Sequence, residues 1–479
     1  MKKAAPPAGP LVKKQWAKRN LKEKREQRPM AILTTAPRGT QDILPGETHK
    51  WQQVERMALE TAGLYGFQEL RFPTFEHTEL FIRSVGEATD VVQKEMYTFT
   101  DKGERSLTLR PEGTASAVRS AIEHGLLNDA LPLKICYVTP CFRYEKPQAG
   151  RLREFHQFGV ELFGPSGPSA DAEIILVATA LLKRLGIHDL RTEINSIGCP
   201  ECRPQYHRAL REYFESHKER LCETCQGRLW KNPMRILDCK SPICQTLSKD
   251  APNITEFLCP ACHEHFEGLK QRLSAAGVHY TVNPRIVRGL DYYTRTVFEL
   301  ISTKLGAQGT VCGGGRYDGL VQELGGNPTP ALGFAMGLER LIAQMEKTGC
   351  AFEEPKKCDL YLASLGDQAA QKALALAEQI RAEGFYVECD LMERSAKASM
   401  KYAGKTGCAF SMVIGENELK EEKANLKNMK TGETSLVAFG TELIAALYNG
   451  RIDDVLEAFP EAFENAGLTA ERHEPLERN

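Results

Sequence analysis

No apolar run in this chain approaches the ~18 residues needed to span a bilayer, and the N-terminus lacks the apolar stretch of a secretory leader. The expectation is a cytoplasmic protein outside the membrane, with its 15 Cys mostly reduced. Net charge is also scarce, at −1 over 479 residues. A balance so near zero gives no chain-wide electrostatic case for nucleic acid. A phosphate-cradling P-loop is missing too, because no Lys-Ser or Lys-Thr follows the glycines of Val311-Cys-Gly-Gly-Gly-Arg-Tyr317.

What is present is ordinary in bulk and unusual in places. A hydrophobic content of 42% with 26% charged residues is that of a globular protein. The length exceeds one core and predicts about three domains. Charge is uneven: residues 1–28 carry ten Lys and Arg against Glu23 and Glu26. Three readings of that block stand side by side. It contacts RNA phosphates, it is a solvated extension without a fixed fold, or translation begins at Met30 and the block is no part of the protein.

Residues 37–46 are turn-rich and lead into a helix over 47–65, where Trp51, Val54, Ala58 and Thr61 recur at helical spacing. Gln68–Phe75 reads as a strand that Pro73 pushes to an edge. Leu107–Leu109 is a short strand running into Arg110-Pro-Glu-Gly-Thr114, where a helix begins. Glu112 there is either a carboxylate able to catch an amine or a helix-start acid matched to the dipole.

Leu133–Phe163 reads as two strands joined by a loop at 146–151. Alternation puts Glu154, His156, Phe158, Val160 and Leu162 on one face of the second strand, and Arg153, Phe155, Gln157, Gly159, Glu161 and Phe163 on the other. Gly159 leaves room for a ligand between Gln157 and Glu161. With Arg143 and Arg151 at the ends of the loop, this face suits a zwitterionic substrate beside a polyphosphate.

From 198 to about 277 the chain changes character. Eight Cys fall in four pairs: Cys199/Cys202, Cys222/Cys225, Cys239/Cys244 and Cys259/Cys262. Three pairs have the C-x-x-C spacing that suits tetrahedral thiolate chelation, and eight ligands would serve two Zn²⁺. Free thiols and disulfides are the competing readings, the latter disfavoured by compartment. Helical runs at 205–216 and 263–276 separate the pairs, so the segment is read as a helical, Cys-rich insertion, after which a strand-like stretch at 278–287 resumes the core.

Arg288-Gly-Leu-Asp-Tyr-Tyr-Thr-Arg-Thr-Val-Phe-Glu299 then reads as a turn feeding a strand. Its Arg offers a planar fork for phosphate or carboxylate, and its Tyr rings an aromatic wall. The glycines of Val311–Tyr317 suggest either close backbone approach to a ligand or a flexible surface turn. Pro330–Ile342 is a strand running into a helix, cleared on one face by Ala331, Gly333, Ala335 and Gly337. Beyond a linker at 349–357, short apolar strands alternate with helices at 367–383 and 394–405, which predicts a small α/β domain with a largely parallel core and a last helix near 441–449.

Five of these stretches, in order, resemble the histidyl-tRNA synthetase family of class II aminoacyl-tRNA synthetases. Pro37-Arg-Gly-Thr-Gln-Asp-Ile-Leu-Pro45 is similar to the family's N-terminal signature. Phe142-Arg-Tyr-Glu145 through Glu161 is similar to class II motif 2, and Gly333–Arg340 to motif 3. Arg288–Tyr293 and Gly313–Tyr317 are similar to the two histidine-specific motifs. The resemblance covers about residues 31–448. It implies an α+β catalytic core, in which an antiparallel sheet is flanked by helices, and a C-terminal α/β anticodon-binding domain. The expected division is 1–30 basic extension, 31–197 and 278–348 core, 198–277 insertion, 358–448 anticodon domain and 449–479 charged tail. Partners implied are L-histidine, ATP with Mg²⁺, tRNA(His) and a second copy of the chain.

The resemblance also implies roles. Arg143 and Arg288 would act catalytically, gripping the α-phosphate. Arg151 and Arg340 would hold the β/γ end, with Glu145 a further ATP contact. Glu112 and Thr114 would take the amino group of histidine. Glu161 and Tyr293 would read its imidazole beside Gln157. Gly113 and Tyr292, with Arg143 and Arg288 again, complete the set expected to touch histidine. The alternative is a catalytically silent, histidine-sensing paralogue.

Overall fold

The computed structural model describes residues 34–458, apart from 87–88, 149, 305–308 and the side chains of 453–458. The basic block at 1–28 and the tail beyond 458 lie outside the described residues. Among those described, no helix is long and apolar enough to cross a membrane. The chain divides into two compact units, one ending at Glu353 and the other starting at Glu354.

The first unit opens with helix α1 (Thr48–Leu64), which buries Trp51, Val54, Ala58 and Ala62 along the predicted stripe. The strand expected at 68–75 is two pieces in different sheets. β1 (Gln68–Glu69) ends before Pro73, and β2 (Phe75–His77) joins β3 (Tyr97–Thr100) and β4 (Ser106–Leu109) in a small antiparallel sheet. Proline cannot donate to a ladder, so the break falls there. Helix α2 (Thr114–Glu123) follows, then β5 (Leu133–Phe142), β6 (Glu154–Phe163), α3 (Pro168–Arg184) and β7 (Leu190–Ser196). The insertion supplies α4 (Arg203–Glu215), α5 (Glu223–Lys231), α6 (Pro242–Leu247) and α7 (Pro260–Ala275). Core strands resume with β8 (Tyr280–Val282), β9 (Thr294–Ser302), β10 (Thr310–Arg316) and β11 (Ala331–Gly337), and α8 (Leu338–Thr348) closes the unit. The strand expected at 278–287 is thus only three residues long, because Pro284 and the turn after it leave the ladder.

One eight-stranded sheet organises this unit, in the order β1-β5-β6-β11-β10-β9-β7-β8. Pairs from β5 through to β7 are antiparallel, and each edge adds a short parallel strand. Two cores lie on its two faces. Phe158, Val160 and Leu162 of β6 pack with α1, α3 and α8 on one face. Tyr137, Phe163, Tyr293, Val297 and Tyr317 share the other face with α2 and with Tyr206, Leu210 and Leu229 of the insertion. α7 crosses to the first face, where Phe266, Leu269 and Leu273 join the core. A buried ion cluster fastens it. Arg316 Nη2 lies 2.5 Å from Asp171 Oδ2, and His265 Nε2 of α7 lies 3.2 Å from Asp171 Oδ1. Burial alone would raise the Asp171 carboxyl, but His265 and Arg316 outweigh it and hold it at about 2.

The second unit holds β12 (Leu360–Ser364), α9 (Asp367–Ala382), β13 (Val387–Cys389), α10 (Ala396–Thr406), β14 (Phe410–Ile414), β15 (Lys423–Asn428), β16 (Thr434–Ala438) and α11 (Thr441–Ala458). Its sheet order is β13-β12-β14-β15-β16. Only the first three strands are parallel, so the expected largely parallel core is mixed. β15 is absent from the sequence reading because only Ala424 and Leu426 of Lys-Ala-Asn-Leu-Lys-Asn are buried. The helix expected to stop near 449 continues to Ala458.

Candidate active site and cysteine clusters

The face of β6, β11, β10 and β9 that carries Gln157 also carries the candidate site. A cleft of about 300 Å³ opens there, within the usual size of small-molecule sites. Glu112, Arg143, Glu145, Arg151, Gln157, Arg288, Tyr293 and Arg340 all line it. These residues come from four separate stretches of sequence. The sheet register unites them: Gly337 pairs with Gln157, and Gly313 with both Ala335 and Glu299.

Four guanidinium groups in one cleft need anions. Glu145 approaches Arg151 at 3.1 Å and Arg143 at 4.0 Å. Arg143 Nε donates to the Pro111 carbonyl at 2.7 Å, and Arg340 Nη1 to the Thr310 carbonyl at 2.8 Å. Arg288 is paired with Glu299, while its Nε is buried without a partner. Glu339 is turned away from the arginines, accepting from the His156 backbone N–H at 2.9 Å and lying 3.0 Å from His156 Nδ1. Burial, then the charge of Arg151, pulls the Arg340 guanidinium below its ordinary value. Two cations that repel across a half-buried cleft are the electrostatic signature of a polyanion site.

The other end of the cleft is a buried acid. Glu161 is fully buried and accepts from Thr114 Oγ1 at 2.8 Å, from Tyr137 Oη at 2.9 Å and from Tyr317 Oη. Burial pushes its carboxyl up to about 8 against the pull of those hydroxyls. Glu112, also buried, accepts from the backbone N–H groups of Thr114 and Ala115, both at 2.8 Å. Glu112 therefore closes the start of α2, as its helix-start reading expects, and it also lines the cleft.

Four expected residues sit behind the cleft wall. Gly113, Thr114, Glu161 and Tyr292 are buried and do not line it. Tyr292 stacks on Tyr293, ring centroids 4.6 Å apart. Gly113 and Gly159 make room for the Tyr137 ring, which a Cβ on either would overlap. The stretch from Thr310 to Arg316 is neither loop nor surface turn but a strand in mid-sheet. Its Gly313 lines the cleft and leaves the space that the Arg288 guanidinium fills. Sequence reasoning missed Tyr137 and Glu299. Tyr137 becomes visible only through its register opposite Gly159, and Glu299 through its pairing with Gly313.

The sequence model of the family described as "Histidyl-tRNA synthetase" matches residues 39–201 and 249–341, and that described as "Anticodon binding domain" matches 359–447. A "Histidine--tRNA ligase" of Caldanaerobacter subterraneus subsp. tengcongensis is 55% identical over 402 residues, covering 84% of this chain and 96% of that one. The chain belongs to the histidyl-tRNA synthetase family. The synthetase fold is matched as well. The crystal structure of apo S. aureus histidyl-tRNA synthetase aligns with a TM-score of 0.73 at 39% identity, over 87% of this chain and 99% of its own. A Clostridium novyi "Histidine--tRNA ligase" is 53% identical over 398 residues, covering 83% of this chain and 95% of that one.

In this synthetase the eight insertion cysteines form two groups of four, paired first with last and second with third. Cys199, Cys202, Cys259 and Cys262 converge in one, and Cys222, Cys225, Cys239 and Cys244 in the other, with every sulfur of a group within 4.8 Å of its fellows. Sγ separations of 3.6 Å (Cys199–Cys202), 3.9 Å (Cys199–Cys259) and 3.8 Å (Cys222–Cys239) are far from a disulfide. They match the roughly 3.8 Å edge of a tetrahedron of thiolates 2.3 Å from zinc. Backbone N–H groups also point at the sulfurs, from Cys259 to Cys202 at 3.2 Å and from Cys222 to Cys244 at 3.4 Å. Such outer donors stabilise ligating thiolates.

Proposed function

We propose that this synthetase joins L-histidine to tRNA(His) in two steps. The carboxylate of histidine attacks the α-phosphorus of ATP, which arrives as its Mg²⁺ complex, and diphosphate leaves. The 3′-terminal ribose hydroxyl of the tRNA then attacks the histidyl-adenylate carbonyl and AMP leaves. No protein nucleophile is required. The first step runs on positioning and charge stabilisation.

The observation that carries this reading is a cleft with four arginines along its walls and a fully buried carboxylate behind its inner end. Arg143 and Arg288 bind the α-phosphate as its charge develops. Arg151 and Arg340 take the β- and γ-phosphates, whose negative charge relieves the repulsion between them, and Glu145 orients Arg151. Glu112, with Gly113 and Thr114 at the start of α2, receives the α-amino group. Glu161, in contact with Thr114, Tyr137 and Tyr317, accepts from the imidazole beside Gln157, Tyr292 and Tyr293. An amino acid without that N–H cannot add a donor to the buried acid, which supports discrimination in favour of histidine. Residues 358–448 read the anticodon, and the active form is a cytoplasmic homodimer.

Both cysteine groups hold structural Zn²⁺, supported by the sulfur spacing and the backbone donors. Zinc takes no part in the reaction. Elemental analysis of untagged protein is expected to return two zinc per chain.

Amino-acid-dependent ATP–pyrophosphate exchange is the deciding experiment. Exchange should depend on histidine above every other amino acid. Absent exchange, or faster exchange with another amino acid, removes the proposal.

A further inference from the structure

The chemistry above makes no use of the Cys222/Cys225/Cys239/Cys244 group, yet side chains between those cysteines contact the turn that carries Arg288. Between Cys222 and Cys244 three side chains reach out of the insertion into the catalytic core. Arg235 Nη1 donates to the backbone carbonyl of Arg288 at 2.9 Å. Asn232 Nδ2 donates to Asp291 Oδ1 at 3.2 Å. Arg228 Nη2 donates to Asp90 Oδ2 at 3.0 Å, next to Val91 of the cleft wall. Arg288 and Asp291 sit on the turn that feeds β9, and Arg288 and Leu290 of that turn line the cleft.

Arg288 therefore has two anchors. Its guanidinium is held by Glu299 within the sheet. Its backbone is held from outside the sheet, by Arg235. The outer anchor rests on a segment of short helices. α5 and α6 are joined through a 3-10 turn at Pro233–Ile236. Arg235 is flanked on both sides by the cysteine group, with Cys222 and Cys225 before it and Cys239 and Cys244 after it, and its neighbours Met234, Ile236 and Leu237 are packed in the core.

We propose that the Cys222/Cys225/Cys239/Cys244 site is a positioning site for the active centre: a Zn²⁺ held there locks the 222–244 segment so that Arg235 fixes the backbone of Arg288. This rests on the zinc reading above. Arg235 is a positioning residue, touching no substrate. Metal loss at this site slows adenylate formation by releasing Arg288, while histidine still finds Glu112 and Glu161 intact. The site thus couples the metal state of the insertion to the first step of the reaction.

Full-length wild type is to be compared with Arg235→Ala, Arg235→Lys and the double variant Cys239→Ser/Cys244→Ser. Zinc per chain, pyrophosphate exchange and hydrogen exchange over 284–293 are the three readouts. The cysteine variant should fall from two zinc per chain to one, and its exchange kcat should drop by roughly 10–100-fold, the cost of displacing a charge-stabilising group by about an ångström. Its KM for histidine should stay within about twofold, because ground-state binding is untouched. Protection over 284–293 should fall in parallel. Arg235→Ala should keep both zinc ions and reproduce the loss of kcat, and Arg235→Lys should recover part of it, since an ammonium also donates to a carbonyl. Combining Arg235→Ala with the cysteine changes should add little further loss. Fewer than two metals per wild-type chain sinks the zinc reading, and this proposal with it. Two metals with an unimpaired Arg235→Ala, or a one-zinc cysteine variant at full rate, sinks this proposal alone.

Discussion

Glu161 is the fully buried acid to which recognition of the imidazole is assigned in the proposed reaction. Its carboxyl, held at about 8, stands above the ~4.3 of an exposed Glu. Between those values the folded chain keeps a proton that the unfolded chain has released, so this group removes stability as pH rises through that window. Glu161→Gln abolishes the effect. In urea titrations the variant should gain on the wild type steadily from pH 5 to pH 8, and a constant difference would contradict the buried placement. The same change should raise the histidine KM by roughly tenfold through the lost hydrogen bond to the carboxyl, with the ATP KM little moved. Arg288 makes the opposite prediction. Arg288→Ala should depress the rate of adenylate formation far more than the affinity for histidine. Single-turnover kinetics separates the two, and a change mainly in histidine binding would mean that its role is different.

At the scale of elements, β10 decides how Arg288 fits. Gly313 and Gly314 are neighbours whose missing side chains matter in different ways. A Cβ on Gly313 would overlap the far end of Arg288, whereas one on Gly314 would press on the backbone of Gly333 and Phe334 in β11. Gly313→Ala is therefore expected to keep the fold and lose adenylation, because a side-chain tip can move. Gly314→Ala is expected to lose stability, because a paired strand cannot. Thermal melts beside pyrophosphate exchange distinguish the two, and equal loss of both properties in both variants would refute the contrast. This is also where sequence reading met its limit. Consecutive glycines read as a turn, yet they form a mid-sheet strand because Arg288 and Tyr293 fill the space on one face. The alternation of β6 was legible without help, since its Phe158, Val160 and Leu162 fill one core while Gln157 faces the cleft.

For the whole molecule, two separate cores imply separable tasks. The residues that line the cleft all precede Glu354, and Leu360, Leu362, Leu376, Ile380 and Met412 build a core of their own beyond it. A chain ending at Glu353 should retain histidine-dependent pyrophosphate exchange and lose tRNA charging. Loss of exchange on that truncation would show that the first step needs the second unit.

Some of this was determined by the sequence by itself. Five ordered motifs placed the chain in its family, the arginines and carboxylates of the cleft were identifiable by type and spacing, and eight cysteines in pairs announced thiolate chemistry. These are local signals, carried by residue identity and by the strand period of two. Only the tertiary structure decided which cysteine pairs converge and that Tyr137 and Tyr317 meet Glu161. The same holds for the pairing of Glu299 with Arg288 and for the reach of Arg235 to the backbone of that arginine. Each of those facts joins stretches distant in sequence or depends on strand register. Register is set by how whole faces bury against one another, not by any one stretch alone.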